Sequence, residues 1–156
     1  MNKKIEIGDK LPTFSLPLSN DKTINSKDLL GKRFILYFYP KDNTPGCTNQ
    51  AKDFSNKLKY FKKLKTEVIG ISKDSLKAHK NFINKHNLKI LLGSDEEINI
   101  IKKFGVWVEK NMYGRKYMGI QRSTFIIDEN SKIFFSWEKV KVKGHVDEVL
   151  EKLKEI

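Results

Sequence analysis

The chain has 156 residues, a length that suits one domain with a hydrophobic core, and 38% of them are hydrophobic. No stretch approaches the roughly 20 apolar residues that a membrane-spanning helix needs, so we predict no membrane-spanning helix. The net charge of +12 suggests nucleic-acid binding. However, the lysines are spread along the chain and match no nucleic-acid motif, so a solvated basic surface is the favoured interpretation and no nucleic-acid partner is expected.

The N-terminal sequence and the cysteine content point to one compartment. Lysines near the start are not followed by an apolar run, so we expect no signal peptide. Cys47 is the single cysteine and cannot form an internal disulfide. The expected location is therefore the cytoplasm.

The predicted elements alternate between strands and helices. A short hairpin is predicted around residues 19–22, followed by a helical turn with Ser26 as its N-cap and Gly31 as its stop. Next come a buried strand at 33–39, a helix ending near 65, a buried strand at 66–72, a helix at 75–87, a strand at 89–94, a helix at 95–105, a hairpin at 121–137 and a terminal helix at 144–156. This order predicts an α/β fold with a central mixed sheet flanked by helices and an N-terminal hairpin.

Cys47 lies at the start of the helix that follows the first buried strand. Ala51, Phe54, Leu58 and Phe61 define the apolar face of that helix, and Cys47 extends this face by one turn. Free cysteines are often buried packing residues. The position on the helix alone leaves packing and chemistry equally open.

Three features of the preceding segment favour chemistry. A helix N-terminus offers unpaired N–H groups and partial positive charge, both of which favour a thiolate. Pro40 and Pro45 stiffen the turn, Thr44 places a hydroxyl three residues before the sulfur, and Gly46 allows close approach to the backbone. The segment also follows the carboxyl end of a buried strand, where α/β folds tend to bind ligands.

The available side chains exclude several reactions. The three histidines, His79, His86 and His145, lie in polar contexts, and we expect surface residues rather than catalytic bases. One cysteine and three scattered histidines give no metal-ligand spacing, so no metal and no cofactor are expected. Acyl transfer by a Cys-His pair stays open only through a tertiary contact that the sequence does not reveal.

Peroxide reduction fits the residues better than the other reactions considered. It needs a stabilised thiolate, fixed donors that orient the peroxide, and positive charge for the leaving oxygen, but no histidine base. Only three of the 31 basic residues are arginine, namely Arg33, Arg115 and Arg122. Since lysine serves elsewhere, an arginine is expected where a planar charged fork matters.

The segment FYPKDNTPGCTNQAKDF resembles the active-site segment of the peroxiredoxins, with their Pro-x-x-x-Thr-x-x-Cys pattern intact. Further segments are similar to the bacterioferritin comigratory protein branch, also called peroxiredoxin Q: GDKLPTFSLPL, VIGIS, GIQRSTFIID and KVKGHVDEVL. The resemblance covers nearly the whole chain and implies one thioredoxin-like peroxiredoxin domain spanning residues 1–156. It also implies thiol-dependent reduction of hydrogen peroxide and organic hydroperoxides in antioxidant defence.

The resemblance also assigns roles to residues. Cys47 would be the peroxidatic nucleophile, Thr44 would hydrogen-bond the peroxide, Pro40 would shield the sulfur, and Arg122 would hold the thiolate and the peroxide oxygen. The substrate would be bound by four residues, namely Thr44, Gly46, Cys47 and Arg122. Arg122 as an ordinary surface arginine is the alternative.

Lys52 stands where many members of this branch carry a resolving cysteine. No other cysteine exists in the chain, so it looks like a one-cysteine member. Peroxide would convert Cys47 to a sulfenic acid, which an external thiol would resolve. The expected partners are peroxide and thioredoxin, glutaredoxin with glutathione, or another small thiol, and a monomer is expected. A slow-turnover redox-sensing thiol protein is the alternative function.

Overall fold

The computed structural model describes residues 4–156, and residues 1–3 of the predicted domain lie outside the described residues. The strands are β1 (Ser15–Pro17), β2 (Thr23–Asn25), β3 (Arg33–Phe38), β4 (Thr66–Ser72), β5 (Leu91–Ser94), β6 (Trp107–Met112), β7 (Arg115–Ile120), β8 (Ser123–Ile127) and β9 (Ile133–Trp137). The helices are α1 (Pro45–Lys63), α2 (Leu76–His86), α3 (Asn99–Lys103) and α4 (His145–Leu153), with a 3₁₀ helix at Ser26–Leu29.

A five-stranded mixed sheet forms the centre, in the spatial order β5-β4-β3-β8-β9. Strands β3, β4 and β5 run parallel, as the helices that connect them require, whereas β8 runs antiparallel to both β3 and β9. Strands β1 and β2 form the separate N-terminal hairpin. The predicted mixed sheet, its flanking helices and the N-terminal hairpin are confirmed.

Alternate residues of β3 point into two hydrophobic clusters on opposite sides of the sheet. Ile35 and Tyr37 face the cluster built with α1, α2 and α4, whereas Phe34, Leu36 and Phe38 face the cluster built with α3 and β1. All of these side chains are buried. Burial on both faces explains why the sequence of this strand is a continuous apolar run.

The hairpin of β6 and β7 was missing from the sequence prediction. Trp107 pairs with Ile120 at one end of the hairpin and Met112 pairs with Arg115 at the other. Most of its side chains are partly or fully exposed. Because neither face of the hairpin is fully buried, the segment lacks the apolar run that revealed the other strands.

Two predicted helix starts were wrong. The predicted helix at 95–105 begins only at Asn99, because the Asp95 carboxylate accepts a hydrogen bond from the Ile101 backbone N–H at 2.8 Å and Ile98 adopts a positive φ of 55°. Ser26 is the first residue of its 3₁₀ helix instead of the N-cap, which is Asn25. The Ser26 hydroxyl accepts from the Phe14 N–H at 3.0 Å and so ties the hairpin to this turn.

The topology brings two separate segments to one edge of the sheet. Phe38, the last residue of β3, pairs with Ser123, the first residue of the antiparallel strand β8. The loop that leaves β3 therefore lies beside the residue that enters β8. This register places Cys47 and Arg122 near each other, although 75 residues separate them in the chain.

Candidate active site

Cys47 lies in the first turn of α1 and is only 1% exposed. Thr44 is the N-cap of this helix with extended backbone angles, and Pro45 is its first residue, where a missing N–H costs no hydrogen bond. The first N–H groups of the helix have no partner within it and surround the sulfur with positive potential. Burial and position thus combine a packing role with the electrostatics of a reactive thiol.

Arg122 contacts the sulfur directly. Its Nη2 donates to Cys47 Sγ at 3.3 Å, and its Nη1 donates to Gln50 Oε1 at 2.6 Å. A guanidinium is planar and permanently charged, so two anchored nitrogens fix both the place and the orientation of its charge. The structure therefore brings together two of the residues that the sequence singled out, Cys47 and Arg122.

Sequence reasoning missed Gln50. This side chain is fully buried one turn after Cys47, and within residues 4–156 its Nε2 has no hydrogen-bond partner while its Oε1 holds Arg122. A signal was present, since a polar residue at position i+3 from Cys47 interrupts an otherwise apolar helix face. A buried amide with one unpaired end costs stability, so its presence here calls for a functional explanation.

Gly46 and Thr44 lie at the same helix start. A Cβ added to Gly46 would lie 3.2 Å from Arg122 Nη2, so the guanidinium packs against the glycine backbone. The Thr44 hydroxyl donates to the Lys41 carbonyl at 2.8 Å, which leaves its oxygen free to accept a hydrogen bond from a bound ligand. Pro40 is partly buried in the loop before these residues.

The expectation that all three histidines lie on the surface was wrong for two of them. His79 is fully buried and His145 is 2% exposed. Each is satisfied by a partner distant in sequence: His79 by Asp42, and His145 by the Thr124 hydroxyl at 2.7 Å. Local sequence could not reveal this burial, because the partners lie 37 and 21 residues away in the chain.

Two buried groups, one influenced by Cys47 and the other by Arg122, stay uncharged around neutral pH. Burial, with a smaller contribution from the charge of Arg122, lowers the pKa of His145 to about 4. Burial raises the pKa of Tyr37 well above its usual value, and the nearby sulfur of Cys47 adds to this shift. Neither group is therefore suited to transfer a proton at the sulfur near pH 7.

Asp42, Asp74 and His79 place potential metal-ligand atoms within 4.8 Å of one another. The same atoms already serve protein hydrogen bonds, since His79 Nδ1 lies 2.7 Å from Asp42 Oδ2 and Asp74 Oδ2 accepts from the Asp42 N–H at 2.9 Å. The set is satisfied as a hydrogen-bond network without an ion.

Lys52 is exposed on α1, whereas Cys47 is buried. The two residues belong to one continuous helix, in which five residues advance about 7.5 Å and turn about 140°. A side chain at position 52 therefore cannot reach the sulfur while this helix stays intact.

The site presents a buried sulfur, a guanidinium in contact with it, helix N–H groups and a hydroxyl acceptor. Such a set can stabilise a thiolate and the charge that develops on a leaving oxygen. It contains no base in contact with the sulfur among the residues that the structure describes. In the same part of the chain, no helix is both long and apolar enough to cross a membrane.

Comparison with known proteins gives one consistent family. A family model described as the AhpC/TSA family matches residues 7–136. The chain is 49% identical over 149 residues to the putative peroxiredoxin bcp of Coxiella burnetii, covering 96% of this chain and 99% of that protein. It is 46% identical to the peroxiredoxin Bcp of Bacillus subtilis, with 97% of each chain covered.

Solved structures give the same result. Peroxiredoxin Q of Xylella fastidiosa superimposes with a TM-score of 0.93 at 39% identity and 98% coverage of both chains. The bacterioferritin comigratory protein of Xanthomonas campestris superimposes with a TM-score of 0.88 at 38% identity, covering 94% of this chain and 98% of that one. The thioredoxin-like fold and the family resemblance expected from the sequence are both confirmed.

Proposed function

Because the chain belongs to the AhpC/TSA family and is a peroxiredoxin, a thiol-dependent peroxidase, we propose that Cys47 is its peroxidatic nucleophile. The contact between Arg122 Nη2 and Cys47 Sγ, at 3.3 Å, carries this proposal. A permanent positive charge against a buried sulfur at a helix N-terminus stabilises a thiolate, which is the form that attacks peroxide.

In the first stage, the Cys47 thiolate attacks one oxygen of a hydroperoxide. A sulfur–oxygen bond forms, the oxygen–oxygen bond breaks, and its electron pair leaves on the other oxygen, which takes a proton to become water or an alcohol. The sulfur is oxidised by two electrons to a sulfenic acid. Negative charge builds up on the leaving oxygen, and the guanidinium of Arg122 supplies the charge that stabilises it.

The neighbouring residues hold the peroxide. Thr44 accepts a hydrogen bond from the peroxide O–H, since its own proton is engaged by the Lys41 carbonyl. Gly46, which has no side chain, leaves room for both the peroxide and the guanidinium. We propose that Pro40, which is partly buried in the preceding loop, shields the sulfur from water and from over-oxidation.

In the second stage, an external thiol attacks the sulfenic acid, water leaves and a mixed disulfide forms. A second thiol attacks that disulfide and releases Cys47. The chain contains one cysteine, so no intrachain disulfide can replace this external step. We propose thioredoxin, or glutaredoxin with glutathione, as the reductant.

We propose both hydrogen peroxide and organic hydroperoxides as substrates. The similar bacterioferritin comigratory protein of Xanthomonas campestris is described as having alkyl peroxide reduction activity, which supports the organic class. We further propose that residues 1–156 form one peroxiredoxin domain, that the protein works as a monomer without a cofactor, and that it acts in the cytoplasm.

A steady-state screen of reductants tests this function. Purified protein is mixed with peroxide and, in separate reactions, with thioredoxin and its reductase, glutaredoxin with glutathione, and a small dithiol. The proposal expects many equivalents of peroxide to be consumed with at least one of them. Consumption of a single equivalent with every reductant would instead favour the redox-sensing alternative.

A further inference from the structure

A buried polar network lies beside the active site, although the reaction does not use it. His79 from α2 and Tyr39 after β3 are 0% and 1% exposed, and Asp42 is 6% exposed. Asp42 belongs to the loop of residues 40–44, here called the active-site loop, which joins β3 to the helix that carries Cys47. The network therefore connects the core to the segment that shapes the peroxide site.

The hydrogen bonds of His79 define where its protons lie. Its Nε2 lies 2.9 Å from the Gly93 carbonyl oxygen, which can only accept, so Nε2 carries a proton. Its Nδ1 lies 2.7 Å from Asp42 Oδ2, a distance that requires one more proton between them. Whether imidazole or carboxyl carries this proton, the pair is neutral overall and is held by a strong hydrogen bond.

Asp42 is held on every side. Its Oδ1 accepts from the Tyr39 hydroxyl at 2.6 Å, and its backbone N–H donates to Asp74 Oδ2 at 2.9 Å. Asp74 is anchored in turn by the Ser72 hydroxyl at 2.7 Å. Through these bonds, one loop residue is tied to the carboxyl ends of β3, β4 and β5.

The position of Asp42 is transmitted to the helix that carries the nucleophile. The Thr44 hydroxyl donates to the carbonyl of Lys41, the residue before Asp42. The Thr44 carbonyl accepts from the Thr48 N–H at 2.8 Å, which closes the first turn of α1 around Cys47. A shift of Asp42 would therefore move both Thr44 and the N–H groups that face the sulfur.

Stability alone does not explain this pair. Burying two ionisable groups carries a desolvation penalty, and well-packed apolar residues in their place are often equally stable or more so. Buried polar networks with every member satisfied do restrict a segment to one conformation. The network serves the one segment whose geometry the reaction depends on.

We infer that His79 is a positioning residue for the peroxide reaction: through Asp42 it holds the active-site loop in the conformation that presents Thr44 and the helix N-terminus to the peroxide. This inference rests on the proposed function of Cys47. It concerns the peroxide step alone, because reduction by an external thiol does not use the bound-peroxide geometry.

The test separates the two half-reactions in four single variants and one double variant, Asp42→Asn/His79→Gln, of the full chain. Asp42→Asn and His79→Gln disturb the pair, Tyr39→Phe removes one hydrogen bond to it, and Phe82→Leu is the control, since it weakens packing of the same helix without touching the network. Stopped-flow kinetics measure the reaction of the reduced protein with peroxide. In a second experiment, a small thiol reduces protein already oxidised by one equivalent of peroxide.

We expect Asp42→Asn and His79→Gln to slow the peroxide step between about 10- and 100-fold, the range that small misplacements cost. Tyr39→Phe should slow it about three- to tenfold. The thiol step should not slow in any of them, and Phe82→Leu should leave both rates near those of the wild type. The double variant Asp42→Asn/His79→Gln should be little slower than either single one, because the two residues act as a unit.

Two results would overturn the inference. One is a peroxide rate within twofold of the wild type in both Asp42→Asn and Tyr39→Phe, each shown to be folded. These two variants are sufficient for the test if His79→Gln does not fold. The other is an equal loss in both half-reactions that Phe82→Leu reproduces. A wild-type protein whose Cys47 does not react with peroxide would refute the proposed function instead, so the two failures are distinguishable.

Discussion

Replacing Arg122 perturbs the contact on which the proposed chemistry depends most. In Arg122→Gln the charge disappears and Gln50 Oε1 loses its donor. Gln50 Nε2 already lacks a hydrogen-bond partner among residues 4–156. Arg122→Lys keeps the charge, but one ammonium cannot reproduce the planar fork that bonds Gln50 and Cys47 together. The pair of variants therefore separates charge from geometry.

The 3.3 Å distance sets the scale of the effect. Two unit charges at that distance attract by about 5 kcal/mol at an effective dielectric constant of about 20, and partial exposure of Arg122 reduces this value. Only the part of this attraction that is stronger in the transition state than in the ground state changes the rate. Loss of one such stabilising donor typically costs about 10²- to 10³-fold. We expect the peroxide reaction to be about 10²- to 10³-fold slower in Arg122→Gln and about 10- to 100-fold slower in Arg122→Lys.

The assay is the second-order rate constant of the reduced protein with hydrogen peroxide, measured by stopped flow. Urea unfolding runs in parallel, because the stranded Gln50 amide should lower the free energy of unfolding by about 1–3 kcal/mol. Arg115→Gln is the matched control, since Arg115 is an exposed arginine at the start of β7. A folded Arg122→Gln protein within threefold of the wild type, or an equal loss in Arg115→Gln, would refute the reasoning.

Two further predictions concern the surroundings of the sulfur. Gly46→Ala should keep or raise the free energy of unfolding, because alanine is the better helix former, by about 1 kcal/mol. It should nonetheless slow the peroxide reaction several-fold, because its Cβ would lie 3.2 Å from Arg122 Nη2, so an unchanged rate would contradict the described packing. The pKa of His145 is lowered to about 4, so the unfolded chain binds this proton below about pH 6.5 and the folded chain does not. The free energy of unfolding, measured with urea, should therefore fall by up to about 3 kcal/mol between pH 6.5 and pH 4 because of His145. In His145→Gln this contribution to the acid loss should be absent. An equal loss of stability at acid pH in the variant would contradict the lowered pKa of His145.

Patterns of local sequence predicted most of the sheet. The apolar runs of β3 and β4 are buried on both faces, and the helix periodicity that begins at Cys47 follows the apolar side of α1. The β6–β7 hairpin escaped prediction, because it is mostly exposed and carries neither an apolar run nor a helix period. A strand that is not buried has no distinctive hydrophobic pattern in the sequence, so a sequence-based prediction misses it.

Contacts between distant segments account for what the sequence missed at the site. His79 is buried because Asp42 and Gly93, which lie 37 and 14 residues away, satisfy its two nitrogens. Gln50 on α1 is tolerated in the core because Arg122, which lies 72 residues away between β7 and β8, donates to its Oε1. Such compensation is a property of the tertiary structure, and no local window of the sequence contains it.

The central claim is that Cys47 receives oxygen from peroxide, and mass spectrometry tests it most directly. Reduced wild-type protein and Cys47→Ser protein are each treated with one equivalent of hydrogen peroxide and trapped with a reagent specific for sulfenic acid, and peptides are then mapped. We expect rapid labelling of the Cys47 peptide in the wild type. In the Cys47→Ser variant we expect neither labelling nor rapid consumption of peroxide. Equal peroxide consumption by Cys47→Ser, or oxygen found only on exposed Met112 or Met118 of the wild type, would contradict the account.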